Sequence, residues 1–155
     1  RMIAALVTAA AGDARHVVDL FSGCGTLTFP LARKAKVHAV EGDAAALAAL
    51  KAAADGAHLA ITTEARDLAR RPLLPEEFKP YSVAVFDPPR SGAPEQAENL
   101  AKGGPPLLVA VSCNPVSFAH DARLLAEGGY DLKAVTPIDQ FPWSAHVELV
   151  AVFKR

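Results

Sequence analysis

Two residues in the second half of the chain have side chains suited to covalent chemistry and proton transfer. Cys113 follows the apolar run Leu107–Val111 and precedes a helical pattern, and a thiol near a helix N-terminus tends to be more acidic and more nucleophilic. Glu148 is the only charged residue between Val147 and Phe153. A carboxylate in such a stretch is either paired or kept for proton transfer. Cys113 by itself would more often be a small buried side chain, so only the two residues together indicate chemistry.

A pair of prolines separates two further charged side chains. The sequence Asp87-Pro88-Pro89-Arg90 follows the apolar run of a predicted strand. Prolines after a buried strand fix an extended loop, which should expose the acid and the arginine at the strand end. A merely structural turn is the alternative, although the charge on each side of the prolines favours a site.

A glycine turn predicts a nucleotide site in the first half of the chain. Gly23 and Gly25 let the backbone approach a ligand closely, but Thr28 stands where the dinucleotide fingerprint has its third glycine. Glu41 ends the next predicted strand, where a carboxylate can accept the hydroxyls of a ribose. The combination suits adenosine with a positively charged tail, as in S-adenosylmethionine. An ordinary strand-to-helix turn with a surface glutamate remains the alternative.

The elements that must position these residues alternate along the chain. Apolar runs that end in polar or glycine-rich turns predict strands, and the patterns after several of them predict helices. This alternation predicts an open, mostly parallel α/β sheet with helices on both faces, an antiparallel last pair and ligands at the carboxyl ends of the strands. The predicted strands are His16–Phe21, Val37–Glu41, His58–Thr63, Val83–Asp87, Leu107–Val111, Asp131–Pro137 and His146–Phe153, and the predicted helices are Thr26–Lys34, Asp43–Ala54 and Ser117–Glu127.

Composition limits the class of protein. The 155 residues correspond to one domain, and no apolar run is long enough for a membrane helix. Two cysteines without a C-x-x-C pair predict neither a disulfide scaffold nor a metal site, and they favour a reducing cytoplasm. A net charge of −1 excludes binding of nucleic acid by bulk electrostatics alone. The chain opens on Arg1 inside a helical pattern, so we expect it to be a piece of a longer protein. We also expect a monomer.

Five segments together resemble a known family. DLFSGCGTLTFPLA, VEGD, DPPRSG, VSCNP and FPWSAHVE occur in that order, and they look like the catalytic domain of RNA uracil-5 methyltransferases. The resemblance covers nearly the whole chain, from Asp19 to Glu148. It implies a Rossmann-like class I methyltransferase fold over residues 1–155 and methyl transfer from S-adenosylmethionine to carbon 5 of a uridine in structured transfer or ribosomal RNA.

The resemblance also implies a role for each matching residue. Cys113 falls on the nucleophile, Glu148 on the general base, and Asp87 on a position that serves both catalysis and the cofactor. Cofactor contacts are implied at Phe21, Gly23, Gly25, Thr26, Glu41, Asp67 and Asp87. Beyond these matches, we expect substrate contacts at Arg90, Asn114, Phe141 and Trp143, although the two aromatic side chains could equally pack their own loop.

The chain departs from the family's pattern at several points. Trp143 and Ser144 stand where histidine and threonine are common. The family's upstream RNA-binding portion, its cofactor-contacting glutamine and the cysteines of an iron–sulfur cluster found in some members have no counterpart here. We therefore expect RNA to be held largely by upstream regions and no metal in this segment.

Three other classes compete with this hypothesis. An amino-group methyltransferase also has a strand-end proline motif but usually an aromatic residue after it, where this chain has Arg90. An NAD-linked oxidoreductase would favour glycine at position 28. A non-catalytic nucleotide-binding module would need neither Cys113 nor Glu148.

Overall fold

A seven-stranded sheet organises the part of the chain that the computed structural model describes, residues 1–140 and 143–155. Its order is β3-β2-β1-β4-β5-β7-β6, and β7 runs antiparallel to both of its neighbours while the other pairs are parallel. The predicted mostly parallel sheet with an antiparallel last pair is confirmed. The strands are β1 (His16–Leu20), β2 (Lys36–Glu41), β3 (Ile61–Ala65), β4 (Val83–Phe86), β5 (Leu107–Ser112), β6 (Asp131–Ile138) and β7 (Glu148–Lys154).

Helices cover both faces of the sheet. Successive strand residues point to opposite faces, so Val17 packs in the cluster that contains α1 and α2 residues, whereas Val18 packs in the cluster with α4 and α5 residues. Strands β4 and β5 are buried along nearly their whole length, as expected for parallel strands covered on both sides. The helices are α1 (Met2–Ala11), α2 (Thr28–Ala32), α3 (Ala44–Ala57), α4 (Pro94–Gly103) and α5 (Pro115–Glu127), with a 3₁₀ turn at Pro75–Phe78.

Side chains cap two of the helices that follow parallel strands, α3 and α5. Asp43 accepts a hydrogen bond from the Ala46 amide at 3.0 Å and starts α3. Asn114 accepts one from the Val116 amide at 3.1 Å and starts α5, with Pro115 at the first helical position. Such caps satisfy amides that have no partner within the helix.

Three element predictions were wrong in detail. Helix α4 was not predicted, since only Ala97 and Leu100 give it an apolar face together with the buried amide of Gln96. Helix α2 is limited to five residues, because the glycine turn continues through Leu27. Strand β3 begins three residues later than expected, because His58 caps α3 in the left-handed conformation. No helix within the described residues is long and apolar enough to cross a membrane.

Candidate active site

The carboxyl edge of the sheet gathers most of the residues predicted to form a site. Strands β1, β2, β4 and β5 all end there because they are parallel, and β7 begins there because it is antiparallel. Ser112 of β5 pairs with Leu149 of β7. Cys113 directly follows Ser112, and Glu148 directly precedes Leu149 as the first residue of β7. The thiol and the carboxylate, which lie far apart in sequence, therefore belong to the same edge.

The glycine turn after β1 adopts backbone conformations that ordinary residues avoid. Phe21, Gly23 and Gly25 have φ values of 62°, 56° and 100°. A Cβ atom on Gly25 would lie 2.6 Å from Cε2 of Phe29, which is closer than atoms can approach, so only glycine fits. The Phe21 ring lies edge-on to Phe86, with 6.0 Å between ring centroids. Thr26 is exposed beside the turn.

Glu41 fixes the position of this turn. Its Oε2 accepts a hydrogen bond from the Gly23 amide at 2.7 Å, and its Oε1 accepts bonds from the amides of Gly42 and Asp43, both at 2.9 Å. A carboxylate offers about four lone-pair positions. The residue predicted to accept ribose hydroxyls thus also holds three backbone amides, and Oε2 keeps one lone pair for a ligand.

Asp19 lies buried beneath the turn. The segment Asp19–Gly25 was predicted to lie at the ligand-binding edge, but no cofactor contact was assigned to Asp19 itself. Its Oδ2 accepts a hydrogen bond from the Thr28 hydroxyl at 2.6 Å, whereas Oδ1 has no partner among the described residues. Burial, with smaller contributions from the charges of Asp87 and Glu41, raises the pKa of Asp19 to about 7. Thr28 is the residue that broke the dinucleotide fingerprint, and the structure gives it this partner instead.

Two carboxyl groups at the same edge of the sheet as Cys113 interact electrostatically. Burial, and then the negative charge of Glu148, raises the pKa of Asp87 to about 7. Burial also raises the pKa of Glu148. Cys113 itself is partly exposed, and Cys24 in the glycine turn is exposed. A partly buried thiol and proton-accepting carboxylates at one edge of a sheet can perform addition and proton removal.

Asn114 and Arg90 are joined by a hydrogen bond. The Asn114 amide group donates from Nδ2 to the carbonyl oxygen of Arg90 at 3.1 Å, while its Oδ1 caps α5. The side chain predicted to contact substrate therefore also connects two loops of the protein. The guanidinium group of Arg90 is exposed and has no hydrogen bond or ion pair with a described residue, so it is available to a ligand.

The remaining predicted site residues differ in their surroundings. Asp67 is exposed after β3, where it accepts a hydrogen bond from the Ala69 amide at 3.1 Å, and its Cα lies next to Gly42. Trp143 is fully exposed with a φ of 78°, so its indole does not pack the loop down. Phe141 lies outside the described residues. Within the described ranges, no group of three histidine, cysteine or acidic side chains could hold a metal ion.

Comparison with known proteins assigns this fold to a class. The archaeal tRNA (uracil-54, C5)-methyltransferase of Pyrococcus abyssi, solved in complex with S-adenosyl-L-homocysteine, superposes with a TM-score of 0.85 at 26% identity, over 98% of this chain and 37% of that one. The fold is that of the class I S-adenosylmethionine-dependent methyltransferases.

Sequence relatives narrow the class to a family. A profile of the tRNA (Uracil-5-)-methyltransferase family matches residues 1–155. An uncharacterized RNA methyltransferase of Brucella suis is 55% identical over 99% of this chain, and the 23S rRNA (uracil(1939)-C(5))-methyltransferase RlmD of Acidithiobacillus ferrooxidans is 44% identical over 90% of it. The chain belongs to the tRNA (uracil-5-)-methyltransferase family. It spans 37% of the length of the Brucella relative and 33% of the RlmD protein.

Proposed function

We propose that this chain is the catalytic part of an S-adenosylmethionine-dependent enzyme that methylates carbon 5 of a uridine in transfer or ribosomal RNA. The observation that carries the proposal is the meeting of Cys113, Glu148 and Asp87 at one sheet edge, beside the glycine turn. Relatives that are named for this activity on ribosomal and transfer RNA support it.

The residues around the glycine turn fit S-adenosylmethionine. Asp19 has a buried carboxylate oxygen without a partner among the described residues, and Glu41 keeps one lone pair beside Gly23. Carboxylates bind cationic groups and accept hydrogen bonds from hydroxyls, so this turn suits a ligand with a ribose and a positive charge. When bound there, S-adenosylmethionine supplies an electrophilic methyl group. An NAD-linked enzyme would have no use for Cys113.

Cys113 is assigned to the first chemical step. Carbon 5 of uracil is a weak nucleophile, but addition of the Cys113 thiolate to carbon 6 forms an S–C6 bond and moves an electron pair through carbon 5 to the carbonyl at carbon 4. Carbon 5 of this enolate then takes the methyl group. Asp87 and Arg90 would orient the uracil edge and stabilise the charge on its carbonyl oxygens.

Glu148 is assigned to the last chemical step. After methyl transfer, Glu148 accepts the proton from carbon 5, the C5–C6 double bond re-forms and the thiolate leaves carbon 6. Its raised pKa, caused by burial, favours a group that takes up a proton. The target base must leave its stack to reach this edge. Trp143, which is exposed, is a candidate to stack on it, and so is Phe141.

A pair of cysteine variants tests the proposal in a longer protein that contains these residues. With methyl-labelled S-adenosylmethionine and unmodified substrate RNA, Cys113→Ala should abolish methylation, while Cys24→Ala should remain active. RNA in which 5-fluorouridine replaces the target uridine should form a covalent complex with wild type and Cys24→Ala only, because fluorine cannot leave carbon 5 as a proton does. Methylation by Cys113→Ala, or label on an amino group of a base, would contradict it.

A further inference from the structure

Two side chains of α5 that the mechanism does not use form hydrogen bonds to the loop between β4 and α4, residues 87–93. The Ser117 hydroxyl donates a hydrogen bond to the carbonyl oxygen of Arg90 at 2.8 Å. The Asp121 carboxylate accepts one from the Ala93 amide through Oδ2 at 2.9 Å. Together with Asn114, which donates to the same Arg90 carbonyl, these residues recur on one face of the helix, three and then four positions apart.

The contact between this loop and α5 is close and largely buried. Asp121 is 3% exposed and Ala93 is 4% exposed, so the hydrogen bond between them is shielded from water. A Cβ atom on Gly92 would lie 2.8 Å from Oδ2 of Asp121 and 3.2 Å from Cβ of Ser117. The loop therefore lies against α5 at a distance that only glycine permits, and a buried amide left without its acceptor would cost free energy.

The same helix begins immediately after the cysteine. Asn114 is the N-cap of α5 and follows Cys113 directly. One rigid element thus begins directly after the proposed nucleophile and holds the loop that carries Asp87 and Arg90 through side chains of its first two turns. The Arg90 guanidinium has no partner among the described residues, so its reach is set by where the backbone of the loop is held.

We propose that Ser117 and Asp121 are positioning residues that fix the Asp87–Arg90 loop relative to Cys113. Neither residue contacts the substrate. Ser117 determines where the Arg90 backbone lies, and Asp121 holds the end of the loop at Ala93. The proposal rests on the proposed function, because its effect on catalysis is defined by the addition and methyl-transfer steps. Small displacements of reacting groups cost large factors in rate.

The positioning role of Ser117 is tested by one substitution that removes its hydroxyl and one that keeps it. In the longer protein, Ser117→Ala should lower kcat for uridine methylation about tenfold. The KM for S-adenosylmethionine and the Tm should stay close to wild type. Ser117→Thr, which keeps the hydroxyl, should restore most of the rate. Arg123→Ala is the matched control on α5, since it removes only an exposed ion pair with Glu127, and it should leave kcat unchanged.

Asp121 is tested by a conservative pair. Asp121→Asn keeps an oxygen that can accept from the Ala93 amide and should retain most of the activity, whereas Asp121→Leu should lose about a hundredfold in kcat. Amide hydrogen exchange on residues 1–155 supplies a readout that does not need activity. The Ala93 amide should exchange faster in Asp121→Leu than in Asp121→Asn, while amides in the middle of β4 stay protected.

The outcomes separate this proposal from the proposed function. If wild type does not methylate uridine, the proposed function fails, and the exchange of Ala93 still shows whether Asp121 holds the loop. If wild type methylates through Cys113 but Ser117→Ala keeps its full kcat, the positioning role is overturned. A rate loss in Ser117→Ala that Ser117→Thr does not restore, or that follows a matching fall in Tm, would overturn it as well.

Discussion

Cys113 acts in the first step of the proposed reaction and Glu148 in the last. Variants that lack one or the other should therefore be blocked at different steps. Glu148→Gln keeps the size and hydrogen bonding of the side chain but cannot accept the carbon-5 proton. The variant should add to the uracil and transfer the methyl group, and then accumulate as a methylated covalent adduct on Cys113. Intact mass spectrometry after RNA digestion would detect it, and Cys113→Ala should show no adduct.

A structural role for Glu148 would give a different result. If the carboxylate only stabilised the fold, Glu148→Gln would be unstable or would turn over at nearly the normal rate, and no adduct would accumulate. An adduct located on Cys24 would contradict the assignment of the nucleophile.

The buried carboxyl group of Asp19 makes a prediction about pH. Its pKa is about 7 in the folded protein and 3.8 as the ordinary value, so the native state holds the proton more tightly than the unfolded state. Stability should fall as the pH rises from about 4 to 7, and then level off. Asp19→Asn should therefore raise the free energy of unfolding at pH 8 by about 2–4 kcal/mol, with almost no effect at pH 4.

Urea unfolding at the two pH values measures this effect. Asp13→Asn is the matched control, because Asp13 is exposed and its substitution should change stability equally little at both. A gain from Asp19→Asn that did not depend on pH would show that packing, not ionisation, is responsible. The same variant should bind S-adenosylmethionine more weakly at pH 8, since the negative charge that suits a cationic ligand is gone.

The turn after β1 depends on the close packing of Gly25 against Phe29, which a substitution can test. Gly25→Ala forces a side chain onto a φ of 100° and against the ring of Phe29. We expect a loss of about 1–3 kcal/mol in stability and loss of S-adenosylhomocysteine binding by calorimetry.

Gly56 supplies the control for that substitution. It lies within α3, where a Cβ atom would meet nothing within 4 Å, so Gly56→Ala should stabilise the protein by about 0.5–1 kcal/mol. Unchanged ligand binding by Gly25→Ala would contradict the role given to this turn.

The elements that the sequence predicted well are those with local signals. Strands β4 and β5 are continuous apolar runs, and Asp43 is an N-cap that its residue type and the helical pattern after it identify. The rule that parallel strands end at one edge placed Cys113 there, whereas Glu148 lies at that edge because the antiparallel β7 begins there. Family resemblance added their proposed roles, which the fold alone does not assign.

The parts that the sequence did not predict depend on partners far away along the chain. Helix α4 is held by Gln96, whose side chain bonds both the amide and the carbonyl of Leu73. Asp121 holds the Ala93 amide in the same way. A polar residue in a helical pattern is expected to be solvated, so nothing local indicated that these two side chains are buried. The free carboxylate oxygen of Asp19 likewise arises only when the chain folds.

Across the whole molecule, charge is unevenly distributed. Acidic side chains occupy the carboxyl edge, where the target uridine would enter. Four basic side chains that form no ion pair with described residues line one concave surface at the other end of the strands. The acidic residues are Asp19, Glu41, Asp87 and Glu148, and the basic residues are Arg15, Arg33, Lys34 and Lys36.

This distribution predicts how residues 1–155 bind RNA. The basic end of the strands lies away from the acidic edge, and a net charge of −1 means that RNA binding releases few counterions. The isolated chain should therefore bind substrate RNA no more tightly than about 1 μM at physiological salt, with a shallow dependence of log Kd on log salt. A longer protein that contains these residues should bind the same RNA far more tightly, because we propose that its other parts hold the RNA.

Filter binding at two or more salt concentrations measures both slopes. A nanomolar Kd with a steep slope for residues 1–155 would show that this domain carries the main RNA surface, and loss of that affinity in a double variant, Lys34→Ala with Lys36→Ala, would locate it at the basic end.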